Sequence, residues 1–330
     1  MRIFYVEHMH VKHSYGLIQG MMKAYQRVAS EFKAFDDRLT ARNQGKAVMN
    51  ELFIRTALEF KPDFVHLGKC ESLRGESVRR VKEATGATVI HFYPDYRPKV
   101  KSYVADIGRY ADMTVLPHQD KALWNMHREA GCKRVGYWWW GVDPECMYPH
   151  DVPKEYDVVF MANPPSKGTG RDMDRFALVS ALADAGINLH IFALVDWAKK
   201  GLKPHENIHL HPYVDQEQFA LACSKSRIAL GYNTNKVYMY TSWCRWVNSM
   251  ASGAFFLGRL FPGLDKVFET GKHLVWFKDI RGAVKLAQYY LAHEGRRERI
   301  AKVGREYVLE HHTWDNRVAQ MMGYVEQIRK

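Results

Sequence analysis

The stretch YTSWCRWVNSMASGAFFLG, from Tyr240 to Gly258, gives the clearest indication of fold in this 330-residue chain. Its polar residues Thr241, Arg245 and Asn248 recur at i, i+4 and i+7, a spacing that places them on one face of a helix. Four small residues, 251–254, follow this predicted helix and lead into an apolar strand, FFLG. Because a helix N-terminus offers backbone N–H groups and an arginine follows one turn away, the pattern predicts a diphosphate site. A surface helix with a solvated arginine is the alternative interpretation.

The rest of the chain alternates short apolar strands with amphipathic helices, which is typical of parallel βαβ units. The first strand is predicted at Arg2–Glu7. Apolar residues from Ile18 to Phe32 recur at intervals of 4, 3, 4 and 3, which predicts a helix over that range. Further strands are predicted at Asp63–Leu67, Ala87–Phe92 and Met113–Leu116, and a second series of strands and helices begins at Asp157.

The length of the chain favours two domains of about 150 residues each. We place the first at residues 1–150 and the second at 151–330, joined by the proline-bearing stretch Asp143–Lys154. Five scattered cysteines without a C-x-x-C pair indicate reduced thiols and a cytoplasmic protein. The N-terminus lacks the apolar core of a signal peptide, and no apolar run reaches the roughly 18 residues of a membrane span.

Several stretches resemble the GT-B glycosyltransferases, particularly the group related to the spore-maturation protein CgeB. The likeness runs through the helix described above, through FPGLDKVFETGKHLVWFKDI and through AQYYLAHEGRRERIAKVGREYVLEHHTWDNRV to the end of the chain. GYWWWGVDPECMYP (136–149) resembles the hinge that closes the first domain in such enzymes. PDFVHLGKCESL and ATGATVIHFYPDYRP (within 62–98) resemble their central first-domain strands.

The resemblance covers most of the chain in the correct order. It implies an α/β fold of GT-B type, in which two Rossmann-like parallel-sheet domains face each other across a cleft. The first domain would hold the acceptor and the second the nucleotide-sugar, and the last helix could cross back to the first domain. Where these enzymes usually carry a glutamate that binds donor hydroxyls, this chain has Asn248.

The donor site is predicted from loops that follow strands of the second domain. The loop SKGTGR (166–171) combines glycines with Lys167 and Arg171, which suits phosphate, although an ordinary flexible turn is an alternative. Tyr213 and Val214 lie where similar enzymes hold the nucleobase; a buried aromatic is the alternative for Tyr213. The predicted donor residues are Gly16, Lys167, Arg171, Tyr213, Val214, Tyr240, Thr241, Ser242, Arg245 and Asn248. The favoured donor is a UDP-sugar, with no metal required.

On the acceptor side we expect Asp95, which follows a predicted strand, to take up the proton of the acceptor hydroxyl. A turn aspartate after Pro94 is the alternative, and Glu7, Glu71 and His13 are reserve candidates. An enzyme that retains anomeric configuration would need no such base.

Two further motifs are prominent. His8, His10 and His13 form an H-x-H-x-x-H cluster, but no acidic or cysteine pattern completes a zinc site, so a loop that contacts a ligand is favoured over a metal. The tryptophans at 138–140 cannot all face one core, because neighbours on a strand point to opposite sides. Either one of them lines the cleft, or all serve packing near the hinge.

The chain is basic, with a net charge of +12 and a pI near 9.3. A basic protein attracts polyanions, although a generally basic surface is the alternative. We predict transfer of a sugar to an acceptor hydroxyl and favour nucleic acid with a hydroxymethylated base, since the chain resembles phage DNA glycosyltransferases. Arg97, Lys99 and Lys101 are the predicted DNA contacts. A polysaccharide or small-molecule acceptor, and a non-catalytic binding protein, stay open.

Overall fold

The computed structural model describes residues 1–9, 15–165, 174–233, 237–239 and 245–330. The chain divides into two compact units. Unit 1 comprises Met1–Gly141 and Trp314–Lys330, and unit 2 comprises Val142–Thr313. Each unit contains a six-stranded sheet in which all strand pairs are parallel.

Unit 1 alternates strands and helices along the chain and recruits one helix from the C-terminus. Its strands are β1 (Arg2–Val6), β2 (Glu31–Phe35), β3 (Phe64–Leu67), β4 (Thr88–Phe92), β5 (Met113–Leu116) and β6 (Val135–Tyr137). Its helices are α1 (Tyr15–Val28), α2 (Asp37–Gln44), α3 (Lys46–Phe60), α4 (Gly75–Thr85), α5 (Ser102–Tyr110), α6 (Lys121–Glu129) and, from the C-terminus, α12 (Trp314–Arg329). The strands lie in the order β2-β1-β3-β4-β5-β6.

The sheet of unit 1 is buried on both faces, as parallel sheets require. β3 and β4 are buried at every position. Hydrogen bonds along its length fasten α12 to the rest of the unit. The Arg27 guanidinium of α1 binds Asp315 at 2.7 Å, and the Trp138 indole N–H donates to the Arg317 carbonyl at 2.7 Å.

The tryptophan run serves packing inside unit 1. Trp138 and Trp139 are buried, and Trp138 meets the Phe92 ring edge-on, with ring centroids 4.8 Å apart. Trp140 is partly buried and lies next to Phe92 and Trp314. These contacts support the packing interpretation.

Unit 2 follows the same alternation. Its strands are β7 (Tyr156–Met161), β8 (Leu189–Ala193), β9 (Ile208–Pro212), β10 (Ser226–Gly231), β11 (Phe255–Arg259) and β12 (Val275–Phe277). Its helices are α7 (Asp174–Asp184), α8 (Gln216–Ser224), α9 (Arg245–Ala251), α10 (Ile280–Ala292) and α11 (Glu294–His311). The strands lie in the order β12-β11-β10-β7-β8-β9. The core contains Val158, Phe160, Leu178, Leu189, Ile191, Trp197, Phe255 and Leu257.

Most strand predictions are confirmed to within two residues, and Met113–Leu116 is confirmed at both ends. The helix predicted through Phe32 is wrong at its C-terminal end: α1 ends at Val28, and Phe32 lies in β2. The segment EFKAF pairs residue for residue with β1, and the Phe32 ring stacks on Tyr5 at 6.1 Å.

Within the described part of the chain, no helix is long and apolar enough to cross a bilayer. The described cysteines form no disulfide.

Candidate functional site

The strand order of unit 2 identifies where a ligand would bind in this unit. From β7 the chain moves outward to β8 and β9, then returns to the other side of β7 for β10, β11 and β12. In open α/β sheets, ligands bind beyond the carboxyl ends of the strands at such a reversal of direction. The reversal lies between β7 and β10. The loops after these strands include Lys167, Arg171, Tyr240, Thr241 and Ser242, which lie outside the described residues.

Arg245 is fixed at this reversal. It is the first described residue of α9, and its guanidinium donates a hydrogen bond to the carbonyl of Met161, the last residue of β7, at 2.7 Å. The bond joins the segment after β10 to the carboxyl end of β7. A permanent cation is thereby positioned at the carboxyl end of β7.

Asn248 follows one turn later in α9 and is 5% exposed. Its backbone carbonyl accepts hydrogen bonds from both the backbone N–H and the hydroxyl of Ser252, at 3.0 and 2.8 Å. Its side chain is a buried neutral amide, at a position where an ionised carboxylate would carry a large desolvation cost. Arg245 and Asn248 lie in the same short helix, as the spacing predicts.

Tyr213 and Val214 follow β9, directly beside the segment that follows β8. Tyr213 is 40% exposed, so the buried-aromatic alternative is not what the structure shows. Leu194 and Val195 lie next to it, because Ala193 pairs with Pro212, and they are 47% and 38% exposed. These three exposed side chains, Leu194, Val195 and Tyr213, are called the apolar platform below.

The apolar platform is held by side chains from the neighbouring segment. Oδ1 of Asn163, two residues beyond β7, accepts the backbone N–H of Leu194 at 2.9 Å and that of Val195 at 3.3 Å. The buried Trp197 indole donates to the Ala162 carbonyl at 2.8 Å. The loop after β8 is thus fixed while its apolar side chains face solvent. Such a surface suits the flat face of a nucleobase.

A second cation, which the sequence analysis did not single out, lies at the carboxyl end of β11. The Arg259 guanidinium lies over the Tyr232 ring, 4.9 Å from its centroid, and donates to the Tyr232 hydroxyl at 2.5 Å. Both side chains line a cavity of about 390 Å³ together with Phe277, Lys278 and Arg281. The signal in the sequence was the position of Arg259 immediately after the strand FFLG.

The strand order of unit 1 contains its own reversal. β2 lies on one side of β1 and β3 on the other, so the chain changes direction between β1 and β3. Asp95 follows β4, the neighbour of β3. Its carboxylate forms an ion pair with Lys69 at 2.9 Å, and Lys69 also binds Glu71 at 2.8 Å. The predicted proton acceptor is therefore about one-third exposed and already paired with a cation.

Arg97, Lys99 and Lys101 lie in the segment between β4 and α5, and all three are exposed. Lys101 is the residue immediately before α5. The structure therefore brings Asp95 and the three predicted DNA contacts to the same edge of the unit 1 sheet.

Glu7 stands where β1 ends, at the reversal of unit 1, and is 8% exposed. Burial raises the pKa of its carboxyl from 4.5 to about 7, and the nearby Asp37 acts in the same direction, whereas the backbone N–H groups of His8 and Lys69 and the cation of Arg38 oppose it. Asp37, in the first turn of α2, is 1% exposed, and burial raises its pKa to about 6. A carboxyl with a pKa near 7 can exchange a proton at neutral pH.

Of the remaining predicted site residues, Gly16 lies in the first turn of α1, and His10 and His13 lie outside the described residues. His8 is partly buried. In the described ranges, no group of three or more His, Cys, Asp or Glu side chains is arranged to hold a metal ion. That the protein requires no metal stays a prediction.

Comparison with known proteins identifies the fold and a family model that matches part of the chain. Residues 171–323 match the family model described as "Glycosyl transferase-like". Sucrose-phosphate synthase from Thermosynechococcus elongatus has a similar structure, with a TM-score of 0.71, 12% identity and coverage of 99% of both chains. HepE from Anabaena, solved in complex with UDP-glucose, gives a TM-score of 0.65 at 11% identity, over 98% of this chain and 100% of that one.

A glycosyltransferase from Rickettsia africae gives a TM-score of 0.68 at 10% identity, over 100% of this chain and 98% of that one. Among curated protein sequences no significant match was found. At these identities the structural likeness concerns the fold, and the fold is that of the GT-B glycosyltransferases. The α/β prediction with two Rossmann-like parallel sheets is therefore confirmed, whereas membership of the CgeB-related group stays a prediction.

Proposed function

We propose, for a chain of GT-B fold whose residues 171–323 match a glycosyl transferase-like family, that it transfers a sugar from a nucleotide-sugar to an acceptor hydroxyl. Unit 2 would bind the donor and unit 1 the acceptor. The observation that carries the proposal is the position of Arg245 at the reversal between β7 and β10, bound to the Met161 carbonyl. A fixed guanidinium at this edge suits a diphosphate, whose oxygens accept strong charge-assisted hydrogen bonds.

The apolar platform supports a nucleotide as the ligand, because it lies just beyond the carboxyl ends of β8 and β9 and offers an aromatic face. HepE, which shares the fold, binds UDP-glucose. UDP-sugar is therefore the favoured donor. Asn248 would hold a donor hydroxyl through its neutral amide, as the family's glutamate does with charge.

Isothermal calorimetry with UDP tests the donor site. Arg245→Ala should weaken UDP binding by roughly tenfold or more, since a charge-assisted bond contributes about 1.5–3 kcal/mol. Arg299→Ala, which removes an exposed arginine of α11, serves as the matched control and should leave the affinity unchanged. Because Arg245 also binds Met161, circular dichroism must show that the variant is folded. Unchanged UDP affinity in a folded Arg245→Ala variant would exclude the assigned role.

For the acceptor, we propose nucleic acid carrying a hydroxymethylated base. The charge distribution favours an anionic partner for unit 1, which has 26 Lys and Arg against 17 Asp and Glu, whereas unit 2 has 22 against 19. Arg97, Lys99 and Lys101 are the proposed phosphate contacts. The cytoplasmic location stays a prediction.

Electrophoretic shift on unmodified and hydroxymethylated duplexes tests this acceptor. With about four phosphate contacts, affinity should fall about 150-fold between about 50 and 200 mM salt, from a log–log slope of roughly −0.9 per contact. Neutralising Arg97, Lys99 and Lys101 together should flatten that slope and leave UDP binding intact. If neither duplex binds at low salt, the acceptor is a polysaccharide or a small molecule. If no nucleotide-sugar is turned over, the protein is a non-catalytic binder.

A further inference from the structure

The end of β1 and the end of β3 meet at the reversal of the unit 1 sheet, and they enclose the Glu7 carboxylate. Val6 pairs with Leu67 across the two strands, and the Gly68 N–H donates to the Val6 carbonyl at 2.8 Å. Glu7 and Gly68 are therefore neighbours, each one residue past its strand. This is the position in an open α/β sheet where ligands bind.

The backbone here is shaped around the carboxylate. A Cβ atom at position 68 would overlap Oε2 of Glu7, so only glycine leaves the space that the carboxylate occupies. Oε1 accepts the backbone N–H of His8 at 2.9 Å. Two residues after Gly68, Cys70 adopts a positive φ of 46°, which is strained for a residue with a side chain. Strained backbone persists only where its surroundings hold it and is concentrated at functional sites.

Burial raises the pKa of the Glu7 carboxyl, and the groups around it act in both directions. From α2, Asp37 disfavours ionisation while Arg38 favours it; from the β3 loop, the Lys69 backbone N–H favours it. Burial raises the pKa values of the Cys70 thiol and the Tyr5 hydroxyl, and the nearby Glu7 carboxylate acts on both in the same direction. Oδ1 of Asp37 has no hydrogen-bond partner among the described residues. A buried oxygen without a partner, beside a second buried carboxyl, has unused capacity to accept a hydrogen bond from a hydroxyl donor.

Asp95 differs from Glu7 in its partners. A base must give up its existing interactions when it takes a proton, and Asp95 would lose most of its ion pair with Lys69 at 2.9 Å. Glu7 forms no ion pair within 4.0 Å among the described residues, and its hydrogen bond from His8 persists on protonation of the other oxygen. Glu7 is therefore better suited to accept a proton and to release it again.

We propose that Glu7, at the reversal between β1 and β3, binds the acceptor hydroxyl and accepts its proton during sugar transfer. The acceptor oxygen forms a bond to the anomeric carbon as the O–H bond transfers its proton to Oε2. The bond from the anomeric carbon to the phosphate oxygen breaks, and its electron pair leaves with the nucleoside diphosphate. Glu7 then passes the proton to water. Direct displacement of this kind inverts the anomeric configuration.

This role rests on the proposed function and is tested with UDP-glucose as donor and water as acceptor. UDP release and the first-formed glucose anomer, observed by proton NMR, are measured from pH 5 to 9. The wild-type rate should rise through about pH 7, because Glu7 must be ionised to accept a proton, and β-glucose should appear first. Glu7→Gln should lower the rate by about 10²–10⁴ and abolish the rise, with unchanged UDP affinity. Glu7→Asp should recover part of the rate.

Two variants separate this role from its alternatives. Glu59→Gln changes an exposed glutamate of α3 and should behave like wild type. Asp95→Asn should lower the rate by less than tenfold. A Glu7→Gln rate within threefold of wild type, or α-glucose as the first product, overturns the role of Glu7 while the proposed function stands. A wild-type protein that binds UDP but releases none from any nucleotide-sugar overturns the proposed function, and the role of Glu7 with it.

Discussion

The free energy of unfolding should fall by about 2 kcal/mol less between pH 7.5 and pH 5.0 when His91 is replaced by leucine. His91 lies in β4 and is 0% exposed, and burial lowers the pKa of its imidazole from 6.5 to about 4. His127 acts in the same direction, and the Lys69 backbone opposes it. Because the folded pKa lies below the unfolded one, His91 binds fewer protons in the folded state. Its contribution to stability is complete above pH 6.5 and is lost as the pH falls toward 4.

The magnitude follows from the two pKa values. At pH 5.0 the unfolded imidazole is almost fully protonated, whereas about a tenth of the folded molecules carry the proton. The pH of 5.0 lies about 1.5 units below the unfolded pKa of His91, and each unit contributes about 1.4 kcal/mol. Protonation of this imidazole in the unfolded chain therefore favours unfolding by about 2 kcal/mol relative to pH 7.5. Leucine has a similar volume and no titrating group, so the variant should lack this loss.

Urea unfolding at pH 7.5 and pH 5.0 measures the effect as a change in the free energy of unfolding. Wild type and variant must be compared at both pH values, since the raised pKa values of Glu7 and Asp37 act in the opposite direction in both proteins. His293→Leu, which removes an exposed histidine, is the matched control. If His91→Leu loses as much stability as wild type between the two pH values, within about 0.5 kcal/mol, the reasoning is wrong.

Asn248→Ala should weaken nucleotide-sugar binding by about 0.5–1.5 kcal/mol, the value of one ordinary hydrogen bond; an unaltered dissociation constant in calorimetry would mean that the amide serves only the helix. Gly68→Ala should destabilise the protein by about 1–3 kcal/mol, because its Cβ would overlap the Glu7 carboxylate. Thermal unfolding of the double variant Glu7→Ala, Gly68→Ala should show a smaller loss than the two single losses added together, and strict additivity would contradict this contact.

Local pattern predicted the elements better than the site. The strand MTVL was predicted at both ends because a short, continuous apolar run bounded by polar residues has few alternatives. EFKAF was misread because Phe32 continued the helical spacing of the preceding residues by coincidence. What decided the structure there was pairing with β1, a contact made 29 residues away along the chain.

The positions of the site residues depend on contacts between residues far apart in the sequence, which no local sequence pattern predicts. The spacing of Arg245 and Asn248 predicted a shared helix, but only the strand order shows that Arg245 meets the end of β7, 84 residues earlier. Glu7 was a reserve candidate because it follows a strand. Its burial depends on Gly68, which is distant in sequence and meets it only because β1 and β3 pair. The sequence did not predict that Leu194 and Val195 are exposed, since apolar residues are expected to lie in the core.

Unit 1 is assembled from two pieces of chain, and unit 2 is the uninterrupted stretch between them. The first and last residues of unit 2 lie side by side, since Val142 and Thr313 form a parallel bridge and the Val142 N–H donates to the His312 carbonyl at 2.9 Å. During synthesis on the ribosome, unit 2 can therefore finish folding while unit 1 still waits for α12. Until that helix emerges, the Trp138 indole lacks its Arg317 acceptor. A released chain truncated before residue 314 would thus carry all of unit 2 and an unfinished unit 1.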